Sequence, residues 1–240
     1  MVMRSRSAKP LSPRRPRVRG QSRHGHGRLV HDLDSRPQAL RQGTRNRRLD
    51  RPGRCRPRKA NRELEAIGVK RPKTTPIFYR VAASLLTSGD AIEVLGDQSS
   101  GEAECVVYSI DGSLFVGVGS DHTDRKAEAV GVSLSKQMCA KPVNREVWRR
   151  DDVAGHWAKL VLRSYASVGG ERRLYQEGSV KAMLPPTELF RLYGGGGLAA
   201  GTAMFCGTLA VHGTITPSDL FEMELVDLVL RRKITHSHRA

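Results

Sequence analysis

Three carboxylates, spaced so that they could meet, are the first residues of this chain that suggest chemistry. Glu102 and Glu104 stand two positions apart in an apolar, β-branched run, and side chains two apart in a strand point to the same face. Asp121 ends the next apolar run, which a turn at Asp111-Gly112 would bring back beside the first. Like charges on one face need a counter-charge, and carboxylate oxygens suit magnesium, manganese or calcium. The spacing therefore predicts a divalent-metal site on these three residues.

The same residues also have explanations that involve no ligand. An E-x-E pair is common on the solvated face of an edge strand, and the charged stretch 117–137 is also typical of a solvated turn. Asp124 and Arg125 are expected either to pair with each other or to cap a helix. His122 is expected to be a turn histidine whose side chain points away from the carboxylates. From the residues alone, both explanations of this stretch stay open.

Strands dominate the elements that would position the carboxylates. Apolar runs on both sides of the Asp-Gly turn predict a β-hairpin over 101–119, followed by a turn and helix over 121–137. Strands outnumber helices and do not alternate regularly with them, so the predicted class is α+β, mainly β. Further strands are predicted over 91–95, 158–168, 201–211 and 220–230, and a return strand is predicted to begin at 172. Further helices are predicted over 58–67 and over 187–192, with Thr187 as the N-cap of the second. The segment 77–86 is ambiguous between strand and helix.

The first 59 residues differ in composition from the rest of the chain. They carry 19 Lys and Arg residues and three acidic residues, whereas residues 60–240 carry 22 Lys and Arg residues and 21 acidic residues. The net charge of +17 therefore belongs almost entirely to the first 59 residues. No Phe, Tyr or Trp precedes Phe78, and Pro, Gly and Arg recur throughout. With so little apolar surface, residues 1–59 are predicted to form a disordered basic arm in front of a single domain over 60–240.

Two explanations of this arm are open. As a disordered polycation it would bind RNA or DNA phosphates without sequence preference, and by charge alone, because it has no aromatic side chains for stacking on bases. Alternatively, out-of-frame translation of a GC-rich gene would give the same content of Arg, Pro and Gly. The true N-terminal strand of the domain would then be missing.

Cysteine usage and hydropathy bear on the compartment. The four cysteines show neither CxxC spacing nor a disulfide pattern, which favours a reduced, cytoplasmic setting. Residues 1–20 lack the apolar core of a signal peptide. The uncharged run 194–212 is rich in glycine, which argues against a helical membrane span, so no membrane association is predicted.

Three segments together resemble the signature of the fumarylacetoacetate hydrolase-like fold family. The E-x-E strand of the family resembles GEAECVV. Its next strand, which leads to an Asp in a T-x-R-type turn, resembles LFVGVGSDHTDRKAE, and its lysine segment resembles SLSKQMCAKPV. Later strands of the family are similar, in the same order, to LVLRSYASVGGERRLYQEGSVKAML and GTAMFCGTLAVHGTITPSDLFEMEL. The match runs from about residue 71 to the C-terminus. Within the fold, the chain resembles most an uncharacterised bacterial group, a domain of unknown function, with GSDHTDR and SKQ segments.

The resemblance implies a mixed β-sandwich roll of the fumarylacetoacetase C-terminal-domain type, present as a homodimer. Glu102, Glu104 and Asp121 would hold magnesium or another divalent cation, manganese or calcium. The implied substrate is a 2-oxo or 1,3-dicarbonyl acid. The implied reaction is C–C hydrolysis, decarboxylation or tautomerisation through a metal-stabilised enolate.

The resemblance also assigns roles to further residues. Lys136 and Thr208 would be catalytic, and Arg80, Arg125 and Gln176 would contact the substrate. Three of them have a structural alternative: an ordinary surface lysine for Lys136, a core strand residue for Thr208, and packing beside Tyr79 for Arg80.

One departure from the pattern concerns the general base. Hydrolytic members carry a His and a Glu upstream of the E-x-E strand, where they activate water. The corresponding stretch, 67–75, contains neither, although Glu63 and Glu65 lie just before it. A non-catalytic, ligand-binding member of the same fold is therefore the alternative to an enzyme.

Overall fold

The computed structural model describes residues 1–4, 27–28 and 76–240, and these residues form strands, short helices and turns. The strands are β1 (Val2–Arg4), β2 (Gly27–Arg28), β3 (Leu86–Thr87), β4 (Ser99–Ser100), β5 (Ala103–Ile110), β6 (Ser113–Ser120), β7 (Thr123–Asp124), β8 (Lys141–Pro142), β9 (Glu146–Arg149), β10 (Leu160–Val168), β11 (Glu171–Ser179), β12 (Thr202–Thr208), β13 (Leu220–Asp227) and β14 (Arg232–His238). The α-helices are α1 (Arg125–Glu128), α2 (Val132–Met138), α3 (Arg150–Ala154) and α4 (Pro186–Gly194), and short 3-10 turns cover Ala83–Leu85, Trp157–Lys159 and Val180–Ala182.

Two sheets make up most of the described part of the fold. One has six strands in the order β1-β12-β5-β6-β9-β2, and the other has four in the order β11-β10-β13-β14. Two short pairs, parallel β3–β8 and antiparallel β4–β7, lie between the larger elements. The predicted hairpin is confirmed as β5–β6, and its turn has positive φ at Asp111 (47°) and Gly112 (78°), as a tight two-residue hairpin turn requires.

The six-stranded sheet is covered on both faces, which explains the nearly continuous apolar run of β5. Cys105 and Val107 share one apolar cluster with Leu162 and Met223 of the four-stranded sheet. Val106 points the other way, into a second cluster with Phe205 of β12, Met1 and Met3. Strands buried on both faces lose the alternation that marks a half-exposed strand. By contrast, β13 alternates regularly between buried and partly exposed residues, as expected for a sheet with one solvated face.

Several sequence-based predictions are confirmed, and some boundaries are corrected. The strands predicted over 158–168, 201–211 and 220–230 correspond to β10, β12 and β13. The short helix is α4, but its N-cap is Pro185 with Pro186 in the first turn, so the choice of Thr187 was wrong by two positions. No helix of the described part is long and apolar enough to cross a membrane.

Other predictions were wrong or incomplete. The range 91–95 forms only an isolated bridge at Ala91, and 77–86 resolves into a bridge at Arg80, a 3-10 turn and the start of β3. Strands β9 and β14 were not predicted, because β9 has only four residues and β14 is largely polar. The helix predicted over 58–67 lies outside the described residues.

The start of the chain contributes two short strands to the fold. Val2–Arg4 forms a strand that pairs with β12, and Gly27–Arg28 pairs with β9, so these five residues of the predicted arm belong to strands. Met1 is buried, and its backbone carbonyl accepts a hydrogen bond from the N–H of Phe205 at 2.7 Å. The other residues of the predicted arm lie outside the part that the structure describes.

A buried glutamine ties the two sheets together beside the E-x-E strand. Gln176 is fully buried, and its Oε1 accepts from the N–H of Ala103 at 3.0 Å and from Oγ of Ser164 at 2.8 Å. Its Nε2 donates to Oγ1 of Thr208 and to the carbonyl of Leu209, both at 2.7 Å. The amide thus uses all of its hydrogen-bonding capacity to join strands of both sheets.

We expect Gln176→Leu to lower the free energy of unfolding by about 3 kcal/mol or more, because each buried polar group left without a partner costs about 1–3 kcal/mol. Urea denaturation measures this loss. Gln98→Leu, at an exposed position, is the matched control and should change stability by less than about 0.5 kcal/mol. Equal losses in the two variants would contradict the structural role of Gln176.

Candidate metal centre

Glu102 and Asp121 face each other across the β5–β6 hairpin. The antiparallel register pairs Ala103 with Ser120, and one step further the N–H of Asp121 donates to the carbonyl of Glu102 at 2.9 Å. Opposite residues of an antiparallel pair point to the same face, so both carboxylates lie on the face that also carries Glu104. One oxygen from each of the three carboxylates lies within 4.8 Å of the other two. The three predicted carboxylates therefore meet.

Two glycines lie beside Glu104 on the neighbouring strands, and the backbone of one of them binds its carboxylate. Gly119 is its partner across the hairpin, and a Cβ at Gly119 would come within 2.9 Å of the Phe205 ring. On the other side, the register of β12 shifts between Phe205 and Thr208, where Gly207 has a φ of 98° that favours glycine. This bulge turns the N–H of Gly207 toward Oε2 of Glu104, which accepts at 2.7 Å.

Lys136 reaches the carboxylates from α2. Its Nζ donates to Oδ2 of Asp121 at 2.6 Å and lies 3.4 Å both from Oε2 of Glu102 and from Oγ1 of Thr123. The side chain is 10% exposed and forms ion pairs with two of the three carboxylates. It is therefore no ordinary surface lysine, which was the structural alternative for this residue.

A second lysine approaches Asp121 from β8. Lys141 is fully buried, and its Nζ donates to the backbone carbonyl of His122 and lies 3.1 Å from Oδ1 of Asp121. The contact with Oδ1 is an ion pair without hydrogen-bond geometry. This leaves Oδ1 a buried oxygen with no hydrogen-bond donor among the residues that the structure describes.

Arg125 is already engaged by protein groups. Its Nε donates to Oγ of Ser100 at 2.6 Å, and its Nη1 lies 3.2 Å from Oε1 of Glu102 and 2.9 Å from Oε2 of Glu128. Asp124 caps α1, so of the two alternatives expected for it the cap is the one observed. The substrate contact predicted for Arg125 stays a prediction.

His122 points away from the carboxylates, as expected. Its Nε2 lies 3.0 Å from Oγ of Ser99, and its Nδ1 lies 3.3 Å from Nε2 of His238. Burial lowers the pKa of both imidazoles to about 3, so both rings are neutral at pH 7. His122 therefore contributes hydrogen bonding within the protein interior.

Burial and neighbouring charges move the pKa values of the three carboxyls apart. Burial raises the pKa of Glu104 to about 7. Burial acts in the same direction on Asp121, but the two ammonium groups beside it outweigh that effect and hold its pKa below the usual range. Lys136 and Arg125 likewise outweigh burial and lower the pKa of Glu102. At neutral pH the cluster therefore has two firmly ionised carboxylates and one close to its midpoint.

The same contacts set the charge of the two lysines. Burial disfavours the ammonium of Lys136, but Asp121 and Glu102 more than compensate and raise its pKa above the usual range. Lys136 therefore stays protonated at neutral pH. For Lys141 burial is the largest influence and lowers the pKa, although Asp121 opposes this.

These residues fit a hard divalent cation. All of the clustered ligands are carboxylates, which is the donor set of magnesium, manganese and calcium. Glu104 forms no ion pair with a side chain of the described residues, and it holds its proton more tightly than an ordinary carboxyl group. Both observations indicate that the described side chains do not fully neutralise the cluster.

The other predicted site residues are less directly connected to the cluster. Thr208 pairs with Glu104 in the sheet, but its hydroxyl donates to the carbonyl of Ala103 at 2.8 Å and accepts from Gln176. Gln176 makes its hydrogen bonds to other protein groups, and the substrate contact predicted for it stays a prediction. The side chain of Arg80 is exposed and makes no hydrogen bond or ion pair to the cluster within the described ranges.

Two buried charged residues of this site were not predicted. Glu128 follows Arg125 by three positions, a spacing at which helix side chains meet, and this was the signal available in the sequence. Lys141 lies in the segment SLSKQMCAKPV, but no spacing rule linked it to Asp121, because their contact depends on how β8 packs against the hairpin.

Comparison with solved structures bears on the fold. A structure of Cg1458 matches with a TM-score of 0.54 and 16% sequence identity, and the match covers 68% of this chain and 69% of that chain. A second structure of Cg1458, with an inhibitor, matches with a TM-score of 0.50 and 14% identity, and covers 63% of this chain and 62% of that chain. A 2-keto-3-deoxy-D-arabinonate dehydratase complexed with magnesium and 2,5-dioxopentanoate matches at 0.47, with 19% identity over 63% of this chain and 57% of that one. This chain thus spans less than two thirds of most of these relatives. The predicted class, mainly β of the fumarylacetoacetase C-terminal-domain type, is confirmed.

Sequence comparison identifies the family. A search of curated proteins finds no significant match. The profile of a family described as a protein of unknown function, DUF2848, matches residues 57–238. Because that match covers well over half of the sequence and includes every residue of the carboxylate cluster, the chain belongs to the DUF2848 family.

Proposed function

We propose that this protein is a divalent-metal-dependent enzyme that acts on a small 2-oxo or 1,3-dicarbonyl acid. The observation that carries the proposal is the convergence of Glu102, Glu104 and Asp121 within 4.8 Å in a largely buried site. A divalent cation bound there would polarise the carbonyl of an oxo-acid and stabilise the negative charge that develops on enolisation. C–C hydrolysis, decarboxylation and tautomerisation all pass through such a charge.

Lys136 is the residue best placed to assist. Its ammonium lies beside two of the three carboxylates and stays protonated, so it supplies a positive charge and a hydrogen-bond donor. A protonated lysine cannot accept a proton, and Lys136 is therefore assigned to anion stabilisation and not to base catalysis. Thr208, which pairs with Glu104 in the sheet, is part of the same proposal.

The setting and assembly also belong to the proposal. Cys105, Cys139 and Cys206 are free and buried, which supports a reduced compartment such as the cytoplasm. A homodimer is proposed on the resemblance of the sequence alone. Non-specific binding of nucleic acid by residues 1–59 stays a prediction outside the described part of the chain.

We expect wild-type protein to bind magnesium or manganese, and Glu104→Gln to weaken that binding at least tenfold, because it removes one of three charged ligands. Isothermal titration calorimetry measures both dissociation constants, and the exposed Glu93→Gln is the matched control. A panel of small oxo-acids is then assayed with and without metal. Metal binding without any turnover would support the non-catalytic alternative, whereas wild-type protein that binds no divalent cation would contradict both.

We expect metal affinity to increase from pH 6 to pH 8. The pKa of Glu104 is raised to about 7, so below that pH a proton occupies the carboxyl and must leave before a cation can bind. Affinity should change by up to about tenfold per pH unit below 7 and should level off above it. Glu104→Gln lacks this proton and should show a flatter profile. A wild-type profile without a step in this range would contradict the assignment.

We expect Lys136→Met to lower the free energy of unfolding of the metal-free protein by about 3 kcal/mol or more, because two buried carboxylates lose their shared cation. Saturating manganese should then raise the melting temperature more in this variant than in wild type, while turnover falls about a hundredfold or more. Lys126→Met, at an exposed position of α1, is the control. Wild-type turnover in Lys136→Met would remove Lys136 from the mechanism.

A further inference from the structure

Arg125 is shared between a proposed metal ligand and a carboxylate that is not one. A single nitrogen, Nη1, lies 3.2 Å from Oε1 of Glu102 and 2.9 Å from Oε2 of Glu128. The guanidinium is fixed from another side, since Nε donates to Oγ of Ser100 at 2.6 Å. The side chains of Arg125 and Glu128 are only 10% and 3% exposed, so solvent screens these charges weakly.

Glu128 is held in this position by local structure. The helix α1 that carries it is a single turn, and Asp124 caps that turn by accepting from the N–H of Ala127 at 2.7 Å. Ion pairing with Arg125 at a spacing of three residues then offsets the cost of burying the carboxylate. Glu128 makes no direct contact with the three clustered carboxylates among the contacts of the described residues. The hydrogen-bonded path from Glu128 to the cluster runs through Arg125.

The charges indicate what this arrangement does. A cation that binds Glu102 must compete with Arg125 for the same carboxylate and must tolerate the positive guanidinium nearby. Glu128 attracts the same nitrogen, so it reduces both the hold of Arg125 on Glu102 and the repulsion of an incoming cation. Near the site, the carboxylates of Glu102, Glu104, Asp121 and Glu128 face three cationic side chains, those of Arg125, Lys136 and Lys141, and the N-terminal ammonium of Met1 adds a further positive charge that acts on Glu104 and Asp121. Loss of the Glu128 charge would leave Glu102 as the carboxylate that Arg125 still pairs with, and it would make the surroundings of the site more positive.

We propose that Glu128 is a positioning residue that acts through Arg125 on Glu102 and thereby sets the affinity of the three-carboxylate site for a divalent cation. This inference rests on the proposed function, since it assumes that the site binds metal. Partners that orient metal ligands typically change metal affinity by about 10- to 100-fold when they are mutated. Glu128→Gln keeps the shape of the side chain and removes only its charge, so we expect it to weaken manganese binding about tenfold or more.

The test is a double-mutant cycle measured by calorimetric titration of manganese into the full-length protein. In Arg125→Gln/Glu128→Gln the uncompensated guanidinium is absent, so we expect the dissociation constant to return to within about threefold of wild type. Glu188→Gln is the matched control, because Glu188 and Arg191 form an ion pair at the same spacing on the exposed face of α4. It should leave manganese binding unchanged. Thermal unfolding of each metal-free variant verifies that the titrated protein is folded.

Each outcome decides. A tenfold loss of manganese affinity in Glu128→Gln, with recovery of that affinity in the double variant, supports the inference. Unchanged manganese affinity in Glu128→Gln overturns it, and so does a double variant that binds manganese as weakly as Glu128→Gln. If Glu128→Gln does not fold, Glu128→Asp is titrated in its place. This variant keeps the negative charge, so its dissociation constant for manganese should lie within about threefold of the wild-type value. A tenfold loss of affinity in Glu128→Asp would overturn the inference. Wild-type protein that binds no manganese refutes the proposed function itself, which distinguishes that failure from failure of this inference alone.

Discussion

The fold brings three carboxylates together in a place with little solvent, and the rest of the site follows from how their charge is offset. An uncompensated buried carboxylate costs several kcal/mol, so the chain must bring cations to this cluster. It does so from three separate elements: α1 supplies Arg125, α2 supplies Lys136, and β8 supplies Lys141. All three elements follow directly after the β5–β6 hairpin in the sequence. The segment between Asp121 and Lys141 is therefore organised around the charges at the end of that hairpin.

The same cations have two opposing effects on the site. They stabilise the carboxylates in the absence of a ligand, because Lys136 and Lys141 hold the pKa of Asp121 below its usual range. They also occupy oxygens that a metal ion would need. The balance is uneven across the cluster: Asp121 has an ammonium group on each side, while Glu104 has a backbone N–H and a pKa raised by burial to about 7. Glu104 is thus the ligand with the most to gain from a bound divalent cation.

The sequence predicted those parts of the structure that depend on local pattern. Asp111-Gly112 between two apolar runs predicted the hairpin, and the hairpin predicted that Asp121 would come back beside the E-x-E pair, as it does. Features that depend on packing between distant segments were not predictable. The bulge at Gly207 that orients Glu104, and the approach of Lys141 to Asp121, involve partners up to 103 residues apart. Strand β1 escaped prediction because the composition around it is that of a disordered arm, whereas Met1, Val2 and Met3 themselves are apolar and buried.

Diffraction from crystals grown with saturating manganese would show whether the three carboxylates bind one divalent cation. We expect an anomalous peak within about 2.0–2.4 Å of one oxygen from each of Glu102, Glu104 and Asp121, with Lys136 displaced from its 2.6 Å contact with Asp121 or moved to one side of the ion. A site without an anomalous peak, in which Lys136 still donates to Oδ2 of Asp121, would show that the carboxylates do not bind the cation.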